Sequence, residues 1–252
     1  MNTDNPYRSG KPIMNIFNLF RSKNVRRYGH IQSLGYMGYN CEPSFQFFQQ
    51  YRFVESGLFS WTNNTNISTL TRALKDFDRI GTGEWEAVPP MWKDLNSSVF
   101  FHGRTQMTDT TDIETLNADK ADLTTRTAYL KEKFKTIGRD GKKNLYIYKY
   151  SIHDETDENV FCRQVTELYE TLKQQIKNEF DLLIVLQKST FAELTESKFA
   201  NGHIFIRRVD FFTPENKVTD KKNDRKAWKK IFKEFAPAFK LKKTKKYKFE
   251  ED

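Results

Sequence analysis

The stretch HIQSLGYMGYNCEPSFQFFQQY, His30 to Tyr51, decides how the rest of the chain is read, because it joins an apolar run to a helix through two glycines. Residues 30 to 34 have the composition of a short strand. Gly35 and Gly38 allow the backbone angles that a tight connection needs, and Phe45, Phe47 and Phe48 open a helical apolar cluster. Asn40 and Cys41 fall at the helix start. A helix N-terminus carries free N–H groups and partial positive charge, which favour a thiolate over a thiol and offer donors to an oxyanion. The junction therefore suits nucleophilic chemistry at Cys41. The alternative is a small side chain packed under the helix.

Working outward, the chain alternates strand and helix patterns. A helix is expected over 68–80, capped by Ser68 or Thr69, and irregular structure over the Gly- and Pro-containing stretch 81–97. SVFFH, 98–102, is a compact strand ending at His102. A long amphipathic helix follows over 117–137, then the strand NLYIYKY, 144–150, which runs into His153 and Asp154. A helix over 157–180 leads to DLLIVLQK, 181–188, whose unbroken apolar run reads as a strand buried on both faces. A short helix at 191–198, a strand at 203–209 and a basic helix at 224–235 complete the series.

This alternation predicts one α/β domain, 30–236, with an open, mostly parallel sheet flanked by helices; a papain-like α+β arrangement is the alternative. It is preceded by a basic, amphipathic arm, 1–29, and followed by a basic tail, 237–252. Ligands of parallel sheets sit outside the carboxyl ends of the strands. The residues expected there are Asn40, Cys41, Ser60, Trp61, His102, His153, Asp154 and Lys188.

Charge and cysteine usage narrow the function classes. The net charge of +9 is concentrated at the ends: 217–252 carries 14 basic and 6 acidic side chains, and 1–30 carries 6 basic and 1 acidic, so the body is slightly acidic. This disfavours nucleic acid as the partner of the body and confines the basic charge to the two ends. Cys41 and Cys162 have neither a disulfide pattern nor a Cys or His at metal-ligand spacing, so no metal or other cofactor is expected and a cytoplasmic location is. Cys162 shares a helix face with Val165 and Tyr169 and reads as structural. No apolar run reaches the roughly 18 residues of a membrane-spanning helix, and the patch from Ile13 to Phe20 lacks the order of a signal peptide.

Four pieces in series, SLG at Ser33–Gly35, GYNCEPSFQF at Gly38–Phe47, FSW at Phe59–Trp61 and FHG at Phe101–Gly103, resemble the bacterial papain-like cysteine peptidase family, a domain of unknown function. The resemblance covers about residues 30–105, with weaker similarity to about 236. It implies a thiolate–imidazole pair of Cys41 and His102, with Asp154 orienting the imidazole and Asp109 or Asn144 as rivals for that role. Asn40, Ser60 and Trp61 would contact the substrate, a peptide, acyl or glycan group. The chain carries extra residues before the cysteine, and has Ser60 and Gly103 where many relatives have Asp. The competing expectation is a noncatalytic or transferase-type α/β domain of cell-surface glycan biosynthesis that binds a sugar or nucleotide.

Overall fold

The computed structural model describes residues 31–51, 57–105, 107–136, 143–212 and 224–235. The expected arm at 1–29 and tail at 237–252 lie outside the described residues. The strands are β1 Ile31–Gly38, β2 Thr62–Asn63, β3 Trp85–Val88, β4 Met91–Asp94, β5 Phe100–Phe101, β6 Lys143–Lys149, β7 Phe180–Gln187 and β8 Ile204–Val209. The helices are α1 Glu42–Tyr51, α2 Ile67–Lys75, α3 Ile113–Thr136, α4 Glu158–Gln175 and α5 Arg225–Phe235.

The expected α/β architecture is present, with a four-stranded parallel sheet ordered β1-β6-β7-β8. Alternate side chains leave opposite faces of a strand, so each strand feeds two cores. Tyr146, Tyr148, Leu182, Ile184 and Leu186 face a layer built from α2, α3 and α4. Leu145, Ile147, Leu183 and Val185 face the other way, against Phe47 of α1 and Trp228, Ile231 and Phe232 of α5. Burial on both faces is why β7 reads as continuous apolar sequence rather than as alternation.

A second sheet was not expected. It is antiparallel, ordered β2-β5-β4-β3, and lies wholly within the connection from β1 to β6. The stretch 81–97, expected to be irregular, contains the β3–β4 hairpin, closed through Pro89–Pro90. Its strands are two to four residues long and carry too few positions to show an alternation. Trp85 and Trp92 from this hairpin are buried with Phe101 in the first core.

Local chemistry sets the helix starts. The N-cap of α2 is Asn66, not Ser68 or Thr69: its side chain accepts the Thr69 N–H at 2.8 Å. Asp157 caps α4 by accepting the Val160 N–H at 2.9 Å. The helix expected over 191–198 is a single 3-10 turn, Glu196–Lys198.

Candidate functional site

β1 ends at Gly38 with φ of +127°, and a Cβ there would lie 2.6 Å from the Lys149 carbonyl oxygen. Only glycine can turn the chain this close to β6. The turn delivers Tyr39, Asn40 and Cys41 to the carboxyl edge of the parallel sheet, and α1 begins at the next residue. The Cys41 carbonyl accepts the Phe45 N–H at 3.0 Å, and the thiol is half-buried. Asn40 Oδ1 accepts the Glu42 N–H at 3.1 Å and the Lys149 ammonium at 2.9 Å.

Glu42 follows the cysteine, and a carboxylate at that position would oppose a thiolate. Its side chain is drawn inward instead. Glu42 is fully buried and pairs with Lys149 Nζ at 3.1 Å, while its other oxygen accepts Trp228 Nε1–H of α5 at 3.3 Å. Lys149 is 2 % exposed and its ammonium also lies over the Phe212 ring, 4.7 Å from the centroid. A buried charge persists only with an opposite charge and hydrogen bonds beside it. The acidic neighbour of Cys41 is therefore neutralised within the fold.

Trp61 precedes β2 and His102 follows β5, so the two flank paired strands of the second sheet. Both residues line a cleft of about 240 Å³ together with Leu58, Phe101, Arg126 and Leu130. The His102 N–H donates to the Trp61 carbonyl, and the Arg126 guanidinium donates to the His102 carbonyl. His102 is an exposed residue. Its imidazole is held below its ordinary pKa, first by the protein that displaces water around it and second by the Arg126 charge, so it favours the neutral form.

The predicted residues are thus distributed over two adjoining places. Asn40 and Cys41 share the carboxyl edge of β1, and Trp61 and His102 share the cleft; Cys41 does not line that cleft, and the His102 ring has no hydrogen bond to Cys41 among the described residues. A short bridge joins them, because Ser44 Oγ of α1 donates to the Ser60 carbonyl at 2.7 Å. Ser60 itself is 1 % exposed and its hydroxyl accepts the Gly57 N–H at 2.9 Å, so this side chain closes a turn and does not face the cleft. His153, beyond β6, stands edge-on to Tyr39 with ring centroids 5.2 Å apart, which puts a second imidazole at the Cys41 edge.

Asp154 is placed differently from its expected role. Its carboxylate accepts Ile67 N–H at 2.7 Å, Ser151 N–H at 2.6 Å and the Tyr148 hydroxyl at 2.9 Å, and none of its partners is His102. It ties the start of α2 to the end of β6. Burial pushes its pKa up to about 6 against the pull of those hydrogen bonds. Of the rivals, Asn144 is buried at the opposite end of β6, since β6 starts at Lys143, and Asp109 lies exposed in the loop before α3.

A carboxylate from α3 packs against the turn that follows His102. Asp119 accepts Arg104 N–H at 2.8 Å and Trp92 Nε1–H at 2.7 Å, and a Cβ on Gly103 would overlap its Oδ2. The glycine after His102 thus makes room for a buried carboxylate supplied from elsewhere. Sequence reading missed Lys149, Asp119 and Arg126. Each left a trace: Lys149 is a cation inside the apolar run NLYIYKY, and Asp119 and Arg126 fall at the helical spacing of Leu123 and Leu130, on the inward face of α3.

Cys162 is half-buried against the first core and burial pushes its thiol pKa up, in keeping with a structural role. Among the described residues no group of three His, Cys, Asp or Glu side chains converges as metal ligands do, and no helix is long and apolar enough to cross a membrane. No family model, curated protein or solved structure matches the chain.

Proposed function

We propose that the protein is a cysteine-dependent hydrolase or acyltransferase, of the papain-like cysteine peptidase type, with Cys41 as its nucleophile. The observation that supports this most is the burial of Glu42 against Lys149. It offsets the negative charge adjacent in sequence to Cys41, and leaves the thiol at the positive end of α1. In this reading His102 takes the thiol proton, and the thiolate attacks an acyl carbon of a peptide, acyl or glycan substrate. The leaving group departs with a proton from the imidazolium, and water or another acceptor then resolves the thioester. A base can stand beyond hydrogen-bond reach before substrate binds and close on the nucleophile afterwards. A reducing, cytoplasmic location accords with a free nucleophilic thiol.

The test is the pH dependence of Cys41 alkylation by iodoacetamide in the full chain, with Cys162→Ser as background. The proposal expects Cys41 to react faster than an unstructured thiol below pH 8 and to lose that advantage in His102→Ala. If His153→Ala removes it instead, the base is misassigned; if neither does, Cys41 is no activated nucleophile.

A second reading, sugar or nucleotide binding without covalent chemistry, draws on the Trp61-lined cleft. It predicts thermal stabilisation by nucleotide sugars that is unchanged in Cys41→Ser, whereas no stabilisation by any of them would remove it.

A further inference from the structure

Arg126 projects from α3 into the cleft. It is half-buried, and its one hydrogen bond is to the neutral His102 carbonyl; among the described residues no carboxylate pairs with it. The nearest acids on its own helix are committed elsewhere. Asp122, one turn earlier, pairs with Arg104 at 2.9 Å. Asp119 is occupied by Trp92 Nε1 and the amides of Arg104 and Thr105. A guanidinium has five donors in a planar fork, suited to carboxylate or phosphate oxygens, so most of Arg126's capacity stays open toward the cleft. The rest of the lining sets the apolar and aromatic side chains of Leu58, Trp61, Phe101 and Leu130 beside His102 and the hydroxyl residues Thr62 and Thr127.

We propose that this cleft is a binding site for an amphipathic anion, in which Arg126 holds a carboxylate or phosphate ester and a flat or aliphatic body lies against Trp61 and Leu130. It names a substrate class for the Cys41 reaction and to that extent rests on that reading. The binding itself needs no chemistry at Cys41. Occupancy also reaches His102: a bound anion beside the imidazole offsets the Arg126 charge and raises the His102 pKa.

The full chain would be titrated with benzoate, phenyl phosphate and inorganic phosphate, with benzamide as the neutral control, following the His102 ring by NMR. The expected result is that benzoate or phenyl phosphate, but not benzamide, shifts the His102 resonances and raises its pKa, with binding weakened by salt. Preference for phenyl phosphate over benzoate assigns a phosphate ester, and the reverse a carboxylate. Arg126→Gln should weaken binding about tenfold or more, with partial recovery in Arg126→Lys. Trp61→Leu should weaken the aryl anions but not inorganic phosphate. Because Arg126→Gln also removes a backbone hydrogen bond and can disturb folding, the wild-type comparison of benzoate and phenyl phosphate with benzamide decides alone. Equal affinity for all three, or no His102 response, overturns the proposal. Anion binding that is intact in Cys41→Ser, in a protein whose Cys41 shows no enhanced alkylation, would leave the cleft standing and remove the hydrolase.

Discussion

Deleting one member of the Glu42–Lys149 pair strands the other in the core, which generally costs about 3–5 kcal/mol. Lys149→Met should therefore lose about that much stability in urea unfolding, and Glu42→Leu/Lys149→Met should recover most of it. Equal losses for the single and double variants would show that the pair is not the source of the cost. Asp154 gives the residue scale a pH signature. Its pKa, ordinarily 3.8, is about 6 in the fold, so between these values the native state retains a proton that the unfolded chain has released. Stability from this group is full below pH 3.8 and falls as pH rises through 6, by about 3 kcal/mol for a shift of this size. Asp154→Asn should lack that slope, and a constant difference between the two pH–stability curves would refute it. Cys41 and its helix-start position were legible because glycines and a phenylalanine cluster are local signals. The partner that neutralises Glu42 was not, since Lys149 follows it by more than a hundred positions and meets it only through the pairing of β1 with β6.

At the scale of elements, the turn after β5 is clamped by α3 through Asp119. Gly103→Ala would push a methyl group into a carboxylate already fixed by Trp92 Nε1 and two amides, so no free side-chain end can yield. Overpacking of this kind costs about 1–3 kcal/mol, and here it should also move His102, visible as a changed ring titration. A Gly103→Ala protein with wild-type stability and an unchanged His102 pKa would mean that the clamp is loose. β6, β7, β8, α4 and α5 were all readable, because each holds six or more residues in a single hydrophobic period. The second sheet was not: a two-residue strand such as β2 or β5 has no period, and its identity comes from the Trp92–Phe101 and Thr62–Phe101 pairings across the chain.

At the scale of the whole molecule, the parallel sheet separates two cores, and α5 closes the second of them against α1. Trp228 is fully buried and also donates to Glu42, so it couples that core to the candidate site. Trp228→Ala should cost about 3–5 kcal/mol. Trp228→Phe keeps most of the packing and removes the donor, so its loss should be smaller while Cys41 alkylation still changes; an unaltered alkylation rate would uncouple α5 from the site. The strand order has a further consequence, in the time domain. β6, β7 and β8 are joined by short crossovers, whereas β1 reaches its neighbour β6 only after a loop of about 100 residues, whose closure costs about 4 kcal/mol of chain entropy. Contacts that close long loops form late. The edge strand that leads into Cys41 is thus expected to dock last, onto a sheet already assembled. Substitutions in β7 should slow folding, while those at Leu34 or Tyr36 should chiefly speed unfolding. Cys41 would then reach its native setting as the final act of folding, so that no partly folded chain presents it there.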